Sequence, residues 1–163
     1  MERSTYVLLS SLLLFLLYWL WQPMTDIVWH VENSFGAMIL WVLFTAGWLI
    51  VLLSTSMINH FDLFGLRQVY LNYRDQDYEH LDFKTVGLYK LVRHPIMLGF
   101  IIAFWATPVM TVGHLVFAIA TTAYIFIALQ FEERDLVNLF GETYKNYQKK
   151  VSMVIPLKWN GHD

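Results

Sequence analysis

The sequence predicts an all-α integral membrane protein with about four transmembrane helices, a C-terminal helical hairpin and a cytoplasmic amphipathic helix. Of its 163 residues, 57% are hydrophobic and 17% are aromatic, which is too apolar for an ordinary soluble domain of this length. A further indication is that every Lys and Arg falls on one side of the predicted membrane. At this length we expect a single membrane domain over residues 1–163.

Four apolar segments are predicted to cross the membrane, since a hydrocarbon core needs about 20 apolar residues, with a range of about 17 to 25. They cover about residues 6–21, 35–58, 96–110 and 115–131. The first is predicted as a true span and not as a cleaved signal peptide, because the residues around Trp21 offer no small-residue cleavage site. The third is short and contains Pro108, so we expect it to form a tight hairpin with the fourth.

The 11 Lys and Arg residues set the predicted orientation. With four crossings, all of them lie on the side that holds the N-terminus, residues 59–95 and the tail after residue 131. The positive-inside rule makes this side cytoplasmic. We therefore expect a multi-pass protein surrounded by membrane lipid, with its polar segments and its active site facing the cytoplasm.

Composition disfavours several classes of function. The net charge of -2 argues against a nucleic-acid partner, which calls for a basic patch. With no Cys, the chain has no thiol nucleophile and no thiolate metal site. The six His are scattered without an i, i+4 pair, so no metal is predicted, and the motifs of the classical nucleotide folds are absent.

Two polar segments flank the predicted hairpin. Residues 59–95 carry many aromatic side chains among their charges, a composition that packs. Pro95 is predicted in the first turn of the third span, where its missing N–H costs nothing, and this puts His94 at the mouth of that helix. Residues 132–150 are predicted as one amphipathic helix at the membrane interface, weakened in its middle by Gly141.

Arg93 and His94 are predicted to meet Glu132 and Glu133, because a helical hairpin returns to the face that it left. These groups have two interpretations. One is a snorkelling Arg with an interfacial ion pair. The other is a site for a zwitterion, in which a carboxylate binds the ammonium of an amino acid moiety and a basic group or a helix N-terminus binds its carboxylate.

His60 and Asp62 directly follow the second span, where both are costly unless they are paired or face a wet cavity. Arg67 comes one to two helical turns later and is a candidate for the same pocket. A lone interfacial His also commonly contacts a lipid headgroup, so a structural and a functional interpretation of His60 both stay open.

Two blocks of the sequence resemble the isoprenylcysteine carboxyl methyltransferase superfamily, whose members are membrane enzymes that use S-adenosylmethionine. The first block contains the Arg-His-Pro tripeptide and the second contains the Glu-Glu pair. The matching residues are Gly87, Tyr89, Arg93, His94, Pro95, Gly99, Glu132, Glu133, Leu136, Phe140, Gly141, Tyr144, Tyr147, Val151 and Pro156. The resemblance covers residues 80–156 and is specific because both spacings hold together.

Within that superfamily, residues 59–69 and 93–100 look most like the branch that methylates methanethiol to dimethyl sulfide. Met97 stands where the prenylcysteine branch has Tyr, and Ala128 stands where that branch has an Arg that serves its substrate. Members of the methanethiol branch carry further hydrophobic segments before the stretch that matches residues 2–6. The chain is therefore expected to lack N-terminal helices of the family.

The resemblance implies methyl transfer from S-adenosyl-L-methionine to a thiol sulfur, without a metal. By motif position, the cofactor would be bound within about residues 80–99 and 131–156. The contacts implied are His80, Tyr89, His94, Pro95, Met97 and Glu132, with Leu81 and Phe83 flanking the cofactor. Arg93 is added from the residues themselves, as a candidate partner of either the cofactor carboxylate or Glu133.

Such a reaction needs a thiolate, so a positioned base would help. His60 oriented by Asp62 is the candidate base, and the alternative is stabilisation of the thiolate by Arg67 or Arg93. Methylation of another thiol, of a prenylcysteine carboxylate or of a phospholipid amine stays open as a different enzyme function. Outside the enzyme class, the alternative is a non-catalytic membrane protein of the NnrU group, which shares the Arg-His-Pro block.

Overall fold

The computed structural model describes residues 2–57, 70, 73–74 and 85–157. Within these residues the protein is mainly helical, with a small antiparallel sheet. The elements in chain order are α1 (Glu2–Leu20), β1 (Ile27–His30), α2 (Ser34–Met57), a 3₁₀ helix (Gly87–Lys90), α3 (Pro95–Trp105), β2 (Val109–Thr111), α4 (Val112–Phe140) and α5 (Glu142–Lys150).

The chain divides into two compact units. The first holds Met1–Pro23 and Thr55–Phe83, and the second holds Met24–Ser54 and Lys84–Asp163. In the first unit, nearly all the large apolar side chains of α1 are exposed, including Leu13 and Tyr18. A helix that is apolar on all of its faces is stable only in apolar surroundings.

Two helices in the described part of the chain, α2 and α4, are long and apolar enough to cross a membrane. The 24 residues of α2 give a length of about 36 Å at 1.5 Å per residue, which exceeds a hydrocarbon core of about 30 Å. The apolar part of α1 and the whole of α3 are shorter apolar helices. The bounds of α1 and α2 agree closely with the first two predicted spans.

In the second unit, a short antiparallel ribbon pairs the segment before α2 with the segment before α4. Strand β1 pairs with β2 in the register Trp29 to Met110 and His30 to Val109. The Trp29 indole Nε1 also donates to the Thr107 carbonyl at 3.3 Å. This ribbon was not predicted, and it replaces the end of the predicted third span, because α3 stops at Trp105.

Pro108 explains the early end of α3. It has no N–H to donate, and it disfavours helical dihedrals in the residue before it. Its carbonyl instead accepts from the Val31 N–H at 2.9 Å, so the chain leaves the helix and enters the ribbon.

The helix α4 continues without a break from its apolar part through Glu132 to Phe140. The prediction of one separate surface helix over residues 132–150 is therefore wrong about where the helix starts. The break falls at Gly141, whose φ of 56° is a conformation that glycine adopts at little cost. The helix α5 then begins at Glu142 and places Tyr144 and Tyr147 on its buried side.

Helices α2 and α3 touch backbone to backbone at two glycines. A Cβ added at Gly47 would lie 2.7 Å from the Ala103 nitrogen, and one added at Gly99 would lie 2.7 Å from the Gly47 carbonyl oxygen. Real Cβ atoms essentially never come this close to backbone. Small residues that let helix backbones approach are typical of helix packing in membranes, where dispersion contacts dominate.

Replacing Gly99 with Ala is expected to destabilise the protein by about 1 to 3 kcal/mol, because a methyl group would be forced into the backbone of α2. The measurement is thermal unfolding in detergent. Gly36→Ala is the matched control, since the added Cβ would meet no backbone atom within 4 Å, only the side chains of Val31 at 3.0 Å and Asn33 at 4.0 Å. Equal melting temperatures for the two variants would contradict the close crossing.

Candidate functional site

The backbone that carries Arg93 and His94 is held by the segment that follows α5. Val92 and Ser152 form an isolated parallel bridge. The Arg93 N–H donates to the Ser152 carbonyl at 2.9 Å, and the His94 N–H donates to the Met153 carbonyl at 3.0 Å. The C-terminal segment thus fixes the position from which both side chains extend.

His94 is the N-cap residue of α3, and Pro95 occupies the first turn, as predicted. The missing N–H of Pro95 costs nothing there, since the first N–H groups of a helix have no partner within it. Both residues are buried, and His94 is only 7% exposed. The imidazole is therefore held at the helix mouth inside the protein.

The centre of the site is the buried carboxylate of Glu133. Arg93 binds it in a bidentate manner, with Nε 2.8 Å from Oε1 and Nη2 2.9 Å from Oε2. Three further groups contact it: His94 Nε2 lies 2.6 Å from Oε1, the Tyr144 hydroxyl 2.9 Å from Oε1, and Gln148 Nε2 2.6 Å from Oε2. Two carboxylate oxygens offer about four acceptor positions, so this carboxylate is saturated.

The guanidinium of Arg93 also binds the C-terminal end of α5. Its Nη1 donates to the Val151 carbonyl at 2.5 Å and to the Gln148 carbonyl at 3.3 Å. A cation at a helix C-terminus satisfies the last carbonyls and complements the helix dipole. The sequence predicts two candidate partners for Arg93, Glu133 and a cofactor carboxylate. The structure brings Arg93 to Glu133, and its contact with a cofactor carboxylate stays a prediction.

His94 faces a glutamate on each side of its ring. A carboxylate only accepts hydrogen bonds, so Nε2, next to Glu133, carries the proton. The other nitrogen, Nδ1, then lies 3.6 Å from Oε2 of Glu132. The Glu132 side chain is 50% exposed, and within the described residues no group donates a hydrogen bond to it.

Tyr89 lies near the Glu132 carboxylate. Burial raises the pKa of its phenol above the usual value, and the nearby Glu132 carboxylate raises it further. The Tyr147 hydroxyl donates to the Tyr89 carbonyl, which ties the 3₁₀ helix to α5. The structure thus brings together three of the residues predicted to bind the cofactor, namely Tyr89, His94 and Glu132.

The two tyrosines of α5 remain hydrogen-bond donors at neutral pH. Burial raises the pKa of Tyr147 to about 12. The pKa of Tyr144 is also raised, first by burial and then by its hydrogen bond to the Glu133 carboxylate. Both phenols therefore stay protonated and hold α5 against the rest of the site.

Not every predicted site residue reaches this cluster. Met97 packs against the small core of Ile125, Leu129 and Val154. The side chain of Pro95 is fully buried. The other predicted site residues lie outside the residues that the structure describes: His60, Asp62, Arg67, His80, Leu81 and Phe83.

Sequence reasoning missed the role of Gln148. Its signal was present, because Gln148 follows Tyr144 by four residues and so shares its helix face. A lone Gln among the lysines of an amphipathic helix nevertheless looks like a solvated residue, so the sequence does not single it out. The pairing of Val92 with Ser152 had no comparable signal in the sequence.

The family model described as "Phospholipid methyltransferase" matches residues 38–143. The chain is 58% identical over 155 residues to methanethiol S-methyltransferase of Mycobacterium tuberculosis, covering 95% of this chain and 64% of the relative. It is 55% identical to the protein of that name in Crocosphaera subtropica, covering 96% and 61%.

A more distant relative is a nurim homolog of Drosophila pseudoobscura pseudoobscura, 30% identical over 83% of this chain and 56% of the relative. No solved structure matches the chain. The chain spans less than two thirds of the length of each of these three relatives.

Replacing Glu133 with Gln is expected to destabilise the fold by about 3 to 5 kcal/mol, because it leaves the largely buried Arg93 guanidinium without its anion. Glu132→Gln is the neighbouring control, since that side chain is half exposed and should change stability little. Thermal unfolding of both variants in detergent measures the difference. A Glu133→Gln protein as stable as the control would show that the network does not hold the fold.

Proposed function

The chain belongs to the phospholipid methyltransferase family, and from this membership we propose that it transfers the methyl group of S-adenosylmethionine to methanethiol, giving dimethyl sulfide. The choice of acceptor is supported by relatives named methanethiol S-methyltransferase that align with about the whole chain at 58% and 55% identity. The geometry that carries the proposal is the half-exposed Glu132 carboxylate opposite His94 Nδ1.

The residues at this position suit the amino acid end of the cofactor. A partly exposed carboxylate without a donor among the described residues is a binding site for an ammonium group. The N-terminus of α3 lies next to it and favours a negative charge, such as the cofactor carboxylate. In this proposal Glu132 binds the ammonium, with His94 and Tyr89 beside it.

Further residues are proposed for the cofactor from motif position alone. These are His80, Leu81, Phe83, Pro95 and Met97, whereas Arg93 is proposed from its own chemistry as a partner of the cofactor carboxylate. Arg93 contacts the site indirectly, through its ion pair with Glu133. Met97 packs against the core around Leu129. When bound, S-adenosylmethionine supplies an electrophilic methyl group on a sulfonium.

The acceptor has to react as its thiolate. A thiol with a pKa of about 8.5 is mostly protonated at neutral pH, so a residue that accepts its proton raises the reactive fraction. We assign this role to His60, oriented by Asp62, with Arg67 near enough in sequence to stabilise the developing thiolate. Holding both reactants in line and excluding water supplies much of the remaining acceleration.

A small acceptor offers few contacts by which a site can recognise it. Methanethiol has two heavy atoms, so the binding energy available is limited. Selectivity against larger thiols then follows most simply from pocket size.

The proposal also includes the way in which the chain crosses the membrane. The apolar helices and the family match make the chain a membrane protein. We place four crossings within a single methyltransferase domain, formed by α1, α2, residues 96–110 and the apolar part of α4. The end of α4 from Glu132 and all of α5 then lie at the cytoplasmic surface, which supports access to a soluble cofactor.

Glu132→Gln is expected to weaken S-adenosylmethionine binding about 10- to 150-fold, the equivalent of a charge-assisted hydrogen bond of roughly 1.5 to 3 kcal/mol. Calorimetry in detergent measures the dissociation constant. Glu142→Gln is the matched control, because Glu142 is exposed and pairs with Lys145 on the surface of α5. Unchanged affinity in the Glu132 variant would remove this residue from the site.

His60→Ala is expected to lower turnover about 10²- to 10⁴-fold while cofactor affinity stays nearly constant, because a base acts mainly in the transition state. Raising the pH should partly restore the rate, since more of the thiol ionises unaided. The readout is dimethyl sulfide formed from labelled S-adenosylmethionine and methanethiol, compared with a panel of larger thiols. His30→Ala, on the exposed face of β1, serves as the control.

Full turnover of the His60 variant at neutral pH would shift the proposal to thiolate stabilisation by Arg67. Loss of cofactor binding would instead place His60 in the cofactor pocket. An unmodified protein that forms no dimethyl sulfide but methylates a long-chain acceptor would overturn the choice of substrate.

A further inference from the structure

Gln148 is the one neutral side chain amide in the Glu133 network among the described residues. Its Nε2 donates to Oε2 of Glu133 at 2.6 Å, and its backbone carbonyl accepts from Arg93 at 3.3 Å. It lies beyond residue 143, where the match to the family model ends. The proposed reaction gives it no role.

Gln148 helps to determine which hydrogen-bond donors each oxygen of the Glu133 carboxylate has. Oxygen Oε2 is held by Gln148 and by one nitrogen of Arg93. With that oxygen fixed, the carboxylate plane cannot turn, and Oε1 stays directed at His94, 2.6 Å away. The hydrogen bond to Oε1 in turn fixes the His94 ring with Nδ1 towards Glu132.

We infer that Gln148 is a positioning residue for the cofactor site, acting through Glu133 and His94 on the pocket beside Glu132. The inference rests on the proposed function, because it concerns affinity for S-adenosylmethionine. Affinity for the cofactor ammonium then depends also on Gln148, which lies at the C-terminal end of α5 and is not among the residues that match the family pattern.

The side chain must be a donor for this role. Replacing Gln148 with Glu keeps its shape but sets a second carboxylate 2.6 Å from Oε2. Two carboxylates at this distance share one proton. At low pH the shared proton restores a donor, whereas at high pH the two anions repel and compete for Arg93.

The charged and titratable groups around Glu133 come from three parts of the chain. Arg93 and His94 precede α3 and contact the carboxylate directly. Glu132 is its neighbour on α4. Tyr144 and Tyr147 face it from α5, and both stay neutral below about pH 10 because their pKa values are raised.

The test compares Gln148→Glu, Gln148→Met and, as matched control, Asn146→Glu, which adds the same charge on an exposed position of the same helix. Calorimetry with S-adenosylmethionine in detergent gives the dissociation constant of each variant relative to the unmodified protein between about pH 5 and pH 9, a range that brackets the shared proton. Thermal unfolding of the same samples reports the folded fraction.

We expect the ratio of dissociation constants, variant to unmodified protein, to change with pH for Gln148→Glu alone. Gln148→Glu should bind nearly as well as the unmodified protein at about pH 5 and about 10-fold or more weakly at about pH 9. Gln148→Met should bind about 10-fold more weakly throughout. Asn146→Glu should give a ratio near one at every pH.

Other outcomes separate the two proposals. If the unmodified protein does not bind S-adenosylmethionine, the proposed function fails. If it binds, but the Gln148→Glu ratio is constant with pH, the positioning role is overturned. It is also overturned if the Gln148 variants melt earlier while their affinities stay equal to that of the unmodified protein, because the amide then only stabilises the fold.

Discussion

The described site depends on one buried anion. The Glu133 carboxylate binds Arg93 and His94 from the start of α3, and Tyr144 and Gln148 from α5. An ion pair of this kind gains little over apolar packing, but it is costly to break because either partner would remain buried and unpaired. Other arrangements of these segments would leave the carboxylate short of donors.

The two neighbouring glutamates of α4 illustrate how one sequence doublet serves two purposes. Successive residues of a helix point about 100° apart, so Glu133 turns into the protein while Glu132 stays half exposed. The first is saturated by hydrogen bonds within the chain. The second accepts no hydrogen bond from the described residues, and His94 lies between the two with one ring nitrogen directed at each.

Much of this arrangement was predictable from the sequence, and the reasons for the exceptions are physical. Apolar runs located α1, α2 and the core of α4, and Pro95 marked the start of α3. The meeting of Arg93 with Glu133 followed from the hairpin. The ribbon of β1 and β2 could not be foreseen, because its strands are very short and their pairing is non-local. The start of the predicted surface helix was wrong, because a change from apolar to charged residues at Glu132 does not interrupt a backbone helix.

The pairing of Arg93 and His94 with the C-terminal segment has a consequence for the order in which the protein is made. The backbone N–H groups of these residues bind Ser152 and Met153, and their side chains bind Glu133, all of which are synthesised much later. While the ribosome is still adding α4, the Arg93 charge has no partner from that region. The charged end of α3 is therefore incomplete until the segment that follows α5 has left the ribosome and docked, so residues made later complete a centre begun by residues in the middle of the chain.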